Sequence, residues 1–515
     1  MTSSTDGRTG INGPRLPKWL DAADLPWAWA GPIALALSAQ LFLIWTHVPW
    51  ADEFQATALA RESHTLADWY WNFRYEGHAP LWHLLLKIPL AFTDDPTALK
   101  IVQSIAVLCS AALLHLRAPF APGVKFLLSL NYFLFFEYGV IARDYSLTVA
   151  FFFAAIAFRR QSVAWLFIAL LPQGGLQSVM LAGICGIIVL REQGWKWWGV
   201  LLAGCGAAVA LVWMWPAEDF LGGGSVSNGG SFGDHLGRAL YYIGSTFAPV
   251  DRDLKITGFE YSRDGVFILG LGLAAPMMSI LSIWRKSPLL TLLSAAFLVS
   301  SLCLSVTTYS LSGRHFGLWA VLLIGLQWTM LTKDQPLPRF MRIWMVILCV
   351  SGALAGLREM TAPFSTAQLT ANALLNAGAT HTMVAPAGIL LAAEVNGLLR
   401  VPTYNKWDNC LQTFIRWRRQ KGGDQPISNS NGERDLIALT QRSLDELKKA
   451  AAQTGGRLLL LLDYYVAEHV AQTGDLTLTF LRFIGKDTVS GNWRYLYRLD
   501  VPPDPNPVAI PACTR

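Results

Sequence analysis

WADEFQATALARESHTLADWYWNFRYEGHAPLWHLLLKIPLAF, residues 50–92, decides how the rest of the chain is threaded. It follows an apolar run directly and opens with two adjacent carboxylates, Asp52 and Glu53. It closes with residues 81–92, an apolar run broken by Lys87. At ~1.5 Å per residue that run is too short to cross a ~30 Å hydrocarbon core, so it is expected to be a juxtamembrane half-helix. If it crossed fully, every later loop would change sides and the basic clusters would fall outside, against the positive-inside rule.

Outward from this stretch the chain is apolar. Of 515 residues, 53% are hydrophobic and 15% charged, whereas a soluble chain carries about a quarter charged. Runs almost free of charge recur between 27 and 357, so this part is expected to be a polytopic all-α transmembrane bundle. Residues 1–26 lack the short apolar core and small-residue cleavage site of a signal peptide. Their Arg8, Arg15 and Lys18 predict a cytoplasmic tail. The pattern predicts about eleven spans, at 27–47, 97–116, 122–140, 146–158, 163–171, 176–190, 197–215, 265–284, 288–309, 316–332 and 341–357. Residues such as Arg117, Arg160, Arg191, Lys286 and Arg339 then lie in cytoplasmic turns. The opposite side receives the first outer loop 48–80, Arg143-Asp144-Tyr145, Gly174-Gly175, the loop 216–264 and Arg314-His315. Spans 146–158 and 163–171 are short and read as tilted, broken or re-entrant. The loop 216–264 contains LGGGSVSNGGSFGDH, which has no apolar period. It is expected to be mobile, either as a gate or as a plain connector. The net charge of +6 asks for no nucleic-acid partner, because topology already accounts for the basic residues.

From 358 to 515 charged residues return and apolar runs shorten. Residues 382–385, 458–462, 476–483 and 493–499 read as strands, and 387–399, 409–419 and 433–452 as helices. Their alternation predicts a soluble α/β domain on the same side as Asp52. Cys410 and Cys513 lie in this polar tail. They can pair if the tail is outside the cytoplasm, or stand as two unrelated thiols. Five further cysteines sit in apolar segments as small buried residues.

Candidate chemistry gathers at one face. Asp52 and Glu53 are a possible base, metal ligands or simply helix N-terminal charges. In Glu76-Gly77-His78-Ala79-Pro80, glycine and proline explain the backbone, but His78 is left to donate to an oxyanion or phosphate. Arg143 suits a phosphate, and Arg314-His315 forms a second cationic point. Lys87 adds to them or snorkels. Asp94-Asp95 before Pro96 reads as a helix cap. Asp251-Arg252-Asp253 matches a short DxD pattern that occurs often by chance, and it is discounted.

WADEFQATALARE, EGHAPLWHLLLK and EYGVIARDYSL, in that order after a first span, resemble the membrane glycosyltransferases of the GT-C superfamily. The nearest likeness is to glycosyltransferase family 39, the dolichyl-phosphate-mannose-protein mannosyltransferase-like group with its bacterial aminoarabinose transferases. The likeness covers about the first 160 residues and is architectural beyond them. It implies a GT-C-type bundle in a bacterial inner (plasma) membrane, with the C-terminal domain periplasmic or extracellular. It implies a polyprenyl-phosphate-linked sugar as donor and an envelope glycolipid, polysaccharide or protein as acceptor. By motif position Asp52 would be the general base of an inverting displacement, with Glu53 beside it. His78, Arg143, Tyr145, Arg314, Glu76 and Lys87 would bind donor phosphate or sugar. No cofactor is required, although a divalent cation is possible, with Asp52, Glu53 and Asp144 as ligands. One departure is Gly174-Gly175-Leu176-Gln177, where relatives often carry a histidine.

Two other classes compete. A transporter or lipid flippase would show internal repeats and ionisable groups near the bilayer midplane. No repeat is present, and the charges gather at one face. A non-catalytic scaffold would leave Asp52 no role beyond capping.

Overall fold

A computed structural model describes residues 26–220, 231–250, 266–284, 286–332, 336–362, 364–386, 389–406, 408–417, 441–463, 465, 472–473, 476–486 and 493–513. Most of the tail 1–26, Asp251-Arg252-Asp253 and the start of the expected helix 433–452 lie outside the described residues.

Among the described residues, six helices are long and apolar enough to cross a membrane. They are Ala28–Thr46, Asp95–Arg117, Leu176–Gln193, Trp197–Met214, Pro288–Thr307 and Arg339–Thr361. Trp197–Met214 leaves Leu201, Val209 and Val212 exposed, as a lipid-facing helix does. Gly313–Met330 instead buries nearly every side chain and forms the centre of the bundle. The half-helix of the sequence reading is Leu81–Leu90, ten residues long. At about 15 Å it spans half a hydrocarbon core. Tyr145–Ala157 and Ala164–Leu170 are short, and the latter runs on into a tight turn, Leu171–Gly174.

The expected span 122–140 is corrected. It is a helix Pro122–Ser129 followed by a separate π-turn, Phe133–Glu137. Between them Asn131 Oδ1 accepts hydrogen bonds from the Phe133 and Leu134 amides at 3.0 and 3.4 Å, which ends the helix locally. Carbonyls of the irregular segment itself are served by other helices. Gln40 Nε2 donates to Leu134 O and Phe135 O at 2.8 and 2.9 Å. Gln103 Nε2 donates to Tyr138 O and Gly139 O at 2.8 and 2.9 Å. Irregular backbone among apolar helices survives only with such partners.

The mobile loop 216–264 is corrected in part. Residues 232–245 form a helix, Phe232–Ser245, started by a reciprocal cap between Ser231 and Asp234. It buries Ala239, Tyr241, Tyr242 and Ile243 against the bundle. Residues 221–230 and 251–264 of that loop lie outside the described residues.

The C-terminal unit starts a few residues later than 358, because helix Arg339–Thr361 runs unbroken past Arg358. Its strands are β1 Val384–Pro386, β2 Thr403–Asn405, β3 Cys410–Gln412, β4 Arg457–Leu462, β5 Gln472–Thr473, β6 Leu476–Lys486 and β7 Trp493–Asp500. They form one mixed sheet in the order β3-β2-β1-β4-β7-β6-β5, with β1 parallel to both β2 and β4. The run of five leucines in β4 reflects burial on both faces. Leu458, Leu460 and Leu462 meet Leu447 and Ala451 of helix Gln441–Gln453. Leu459 and Leu461 meet Leu374 and Val395 on the other side. The expected helix 409–419 is corrected to β3 and an extended segment. Asn409 turns the chain at φ 48°, β3 pairs antiparallel with β2, and Cys410 is bonded to Cys513.

This unit is seated on the first outer loop. A Cβ on Gly397 would run into the Phe54 ring, so only glycine admits the contact. Asp95, fully buried, receives Arg61 Nη1 at 2.5 Å and Arg400 Nε at 3.0 Å.

Candidate active site

The helix Ala51–Glu62 presents Asp52 and Gln55, three residues apart, on one side. They line a cavity of about 590 Å³ together with Glu76, His78, Arg143, Tyr145 and Arg314. Tyr145, Leu176 and Arg314 belong to helix N-termini, while Met214 and Leu304 belong to the last turns of their helices. The cavity therefore caps one end of the bundle. Arg117, Arg191 and Arg339 sit at the other ends of their helices. The lining has two characters: charged residues from the loops, and Leu176, Leu211, Met214, Trp215 and Leu304 as an apolar side.

Asp52 is the electrostatic centre. Its Oδ2 accepts from Arg143 Nη1 and from Arg314 Nη1, the latter at 3.1 Å. Burial works to raise the Asp52 carboxyl, but the two guanidinium charges outweigh it and hold the group below the usual carboxylate range. Arg143 also lies over the Tyr145 ring, 5.9 Å from its centre. Glu76 behaves in the opposite sense. Burial lifts its carboxyl from 4.5 to about 7, against the hydrogen bond from Gln55 Nε2 at 2.5 Å. His78 Nδ1 lies 2.8 Å from Asp144 Oδ2. Gly175, at φ 106°, lets the chain pass beside His78, where a Cβ would come 3.5 Å from Nδ1. The positive φ accounts for Gly175, while Gly174 is required by its close packing on the Thr148 side chain.

Three expectations change. Glu53 does not line the cavity. It is fully buried, accepting from the Trp50 amide at 3.0 Å and the Ala142 amide at 2.7 Å and lying 3.1 Å from His47 Nε2. His47 Nδ1 meets Glu359 at 2.8 Å, so Glu53 joins the first helix, the loop and the last long helix. Lys87 also stands away from the cavity. Its Nζ donates to the Ala60 carbonyl at 3.1 Å and to the Ser63 carbonyl, closing the C-terminal end of helix Ala51–Glu62. His315 is within the cavity lining, but its Nδ1 accepts the Ser312 amide at 3.0 Å, which keeps that nitrogen unprotonated.

The metal candidates Asp52, Glu53 and Asp144 each have a different partner. Among the described residues no group of three or more His, Cys, Asp or Glu is arranged to hold a metal ion.

Several residues were not singled out from the sequence. Gln55 carries a signal in its spacing from Asp52. Its amide exchanges two hydrogen bonds of 2.8 Å with the Ile415 backbone of the C-terminal unit. Leu390 and Trp417 of that unit also line the cavity, and no local pattern announces them.

No family model, no curated protein and no solved structure matches this chain.

Proposed function

We propose that this chain is an integral-membrane glycosyltransferase that moves a sugar from a polyprenyl-phosphate donor to an envelope acceptor. The observation that carries the reading is the two-character cavity: paired arginines and carboxylates beside an apolar side built from the ends of membrane-length helices. A lipid-linked phosphate has the same two characters. About eleven spans, an N-terminus in the cytoplasm of a bacterium and a C-terminal unit outside it complete the reading. The basic helix ends opposite the cavity support that orientation.

In this mechanism Arg143 and Arg314 hold the donor phosphate. The bond between the anomeric carbon and the phosphate oxygen breaks, and the arginines take up the charge of the leaving polyprenyl phosphate. The acceptor hydroxyl attacks from the opposite side with inversion, and its proton passes to a carboxylate. Asp52 is the first choice for that base. A phosphate bound by both arginines competes with Asp52 for them, so donor binding itself uncovers the carboxylate. Glu76 is the second choice, favoured by a proton affinity raised close to neutrality in the same cavity.

The test is transfer from radiolabelled polyprenyl-phosphate sugars in membranes carrying the wild type, Asp52→Asn, Glu76→Gln or Arg143→Gln. Arg143→Gln should lose donor binding. Loss of transfer with retained donor binding should fall on Asp52→Asn if Asp52 is the base, and on Glu76→Gln if Glu76 is. Donor-phosphate binding without transfer by the wild type from any donor would favour a flippase instead.

A further inference from the structure

A second cavity, of about 600 Å³, lies between the first outer loop and the C-terminal unit. Its lining is polar and mixed. Glu62, Asp68 and Asp408 contribute carboxylates, Arg416 a single guanidinium, and Asn72 and Gln412 carboxamides. Phe414 supplies the aromatic face, with the Arg416 guanidinium 5.0 Å from its ring centre.

Two atoms in it are left to a ligand. Asn72 is 6% exposed and spends its Nδ2 on Ser63 Oγ at 3.0 Å. Gln412 is 8% exposed and spends its Oε1 on Asn405 Nδ2 at 3.1 Å. Among the described residues nothing bonds Asn72 Oδ1 or Gln412 Nε2. One is an acceptor and the other a donor. Both residues line the cavity with one polar atom each uncommitted, so the pair is placed to meet a complementary group. A hydroxyl is both donor and acceptor and answers both.

The two cavities share a wall. Residues 413–417 run between them: Thr413, Phe414 and Arg416 line the second cavity, and Trp417 lines the first. Ile415 is pinned by Gln55, which also holds Glu76. The disulfide Cys410–Cys513 anchors the start of the wall, and Cys513 itself lines the second cavity.

We propose that the second cavity is a carbohydrate subsite that seats the acceptor glycan one wall away from the transfer chemistry. The assignment rests on the glycosyltransferase reading above. The ligand class follows from the lining. Hydroxyls suit the carboxamides and carboxylates, and the Phe414 ring suits the apolar face of a pyranose. Glu62 is paired with Arg61 at 3.0 Å, which leaves Asp68 and Asp408 against the Arg416 guanidinium, so an amine-bearing sugar is preferred and an acidic one disfavoured.

The test uses the full chain in lipid nanodiscs and three tetrasaccharides: the glucosamine tetramer, cellotetraose and tetragalacturonate. Affinities for each, and separately for polyprenyl phosphate, are measured for the wild type, Phe414→Ala, Gln412→Leu and Arg143→Gln. The expected order is amine-bearing, then neutral, then acidic. Phe414→Ala and Gln412→Leu should each weaken sugar binding by about tenfold, the loss of one good contact, and leave polyprenyl-phosphate binding intact, which also shows that they fold. Arg143→Gln should do the reverse. If polyprenyl phosphate binds and none of the three sugars does, the subsite is overturned. It is equally overturned if sugar binds undiminished to both wall variants. If sugars bind in the expected order and polyprenyl phosphate does not, the subsite stands and the donor assignment falls.

Discussion

Replacing Glu76 by glutamine tests the electrostatics of the candidate site without assuming any substrate. In the folded chain the carboxyl titrates at about 7 instead of 4.5, chiefly because it is buried. A carboxyl raised in this way makes the fold most stable when protonated. That contribution is complete below 4.5 and is lost as pH climbs through about 7. At about 1.4 kcal/mol per pH unit, the full difference is about 3 kcal/mol at pH 8. Glu76 keeps some contact with the cavity, and screening there reduces the value to roughly 1–3 kcal/mol. Glutamine cannot ionise and still accepts from Gln55, so Glu76→Gln imitates the protonated state at every pH. The variant should lie within about 1 kcal/mol of the wild type at pH 5 and exceed it by roughly 1–3 kcal/mol at pH 8. Intrinsic tryptophan fluorescence during thermal unfolding in detergent, repeated from pH 5 to 8, reads this directly. Superimposable pH profiles for the two proteins would refute the raised carboxyl and, with it, the case for Glu76 as proton acceptor.

His47→Leu should destabilise the chain by about 3–5 kcal/mol, because it leaves the Glu53 and Glu359 carboxylates without their shared partner; a thermal midpoint within a degree of wild type would count against that network. Gly397→Ala should cost about 1–3 kcal/mol by forcing a methyl into the Phe54 ring, loosening the seat of the C-terminal unit. Limited proteolysis should then cut within 364–386 sooner than in the wild type. Removing the Cys410–Cys513 bond with Cys513→Ser should lower stability by about 2–5 kcal/mol. Reductant should do the same to the wild type and leave the variant unchanged, and unfolding curves with and without it will show whether it does.

Much of the site is legible in the sequence alone. Asp52, His78, Arg143 and Arg314 stand beside the ends of apolar runs, and placing those ends on one side is enough to suggest that they meet. Arg314 reaches Asp52 across 262 residues because both ends lie on the same side of the bundle. Glu53 was misjudged for a geometric reason. Neighbours on a helix point about 100° apart, so when Asp52 faces the cavity, Glu53 faces the interior. The break within 122–140 was hidden because its cause is tertiary. Asn131 looks like an ordinary polar residue, and the Gln40 and Gln103 amides that serve the carbonyls of the irregular segment come from distant helices. Residues 409–419 read as a helix by pattern, and pairing with β2 and the disulfide overrode that pattern. Leu390 and Trp417 enter the cavity only because a separately folded unit docks there.

That broken segment also bears on how the chain is built. A stretch whose carbonyls depend on Gln40 and Gln103 cannot settle into a bilayer by itself. Both amides, however, precede it in the chain and are carried by long apolar helices, Ala28–Thr46 and Asp95–Arg117. In synthesis from the N-terminus those two helices precede the irregular segment, so the donors its carbonyls need are made before it. A circular permutation that delivered residues 122–140 ahead of these helices would present the insertion machinery with a segment that has nowhere to place its backbone.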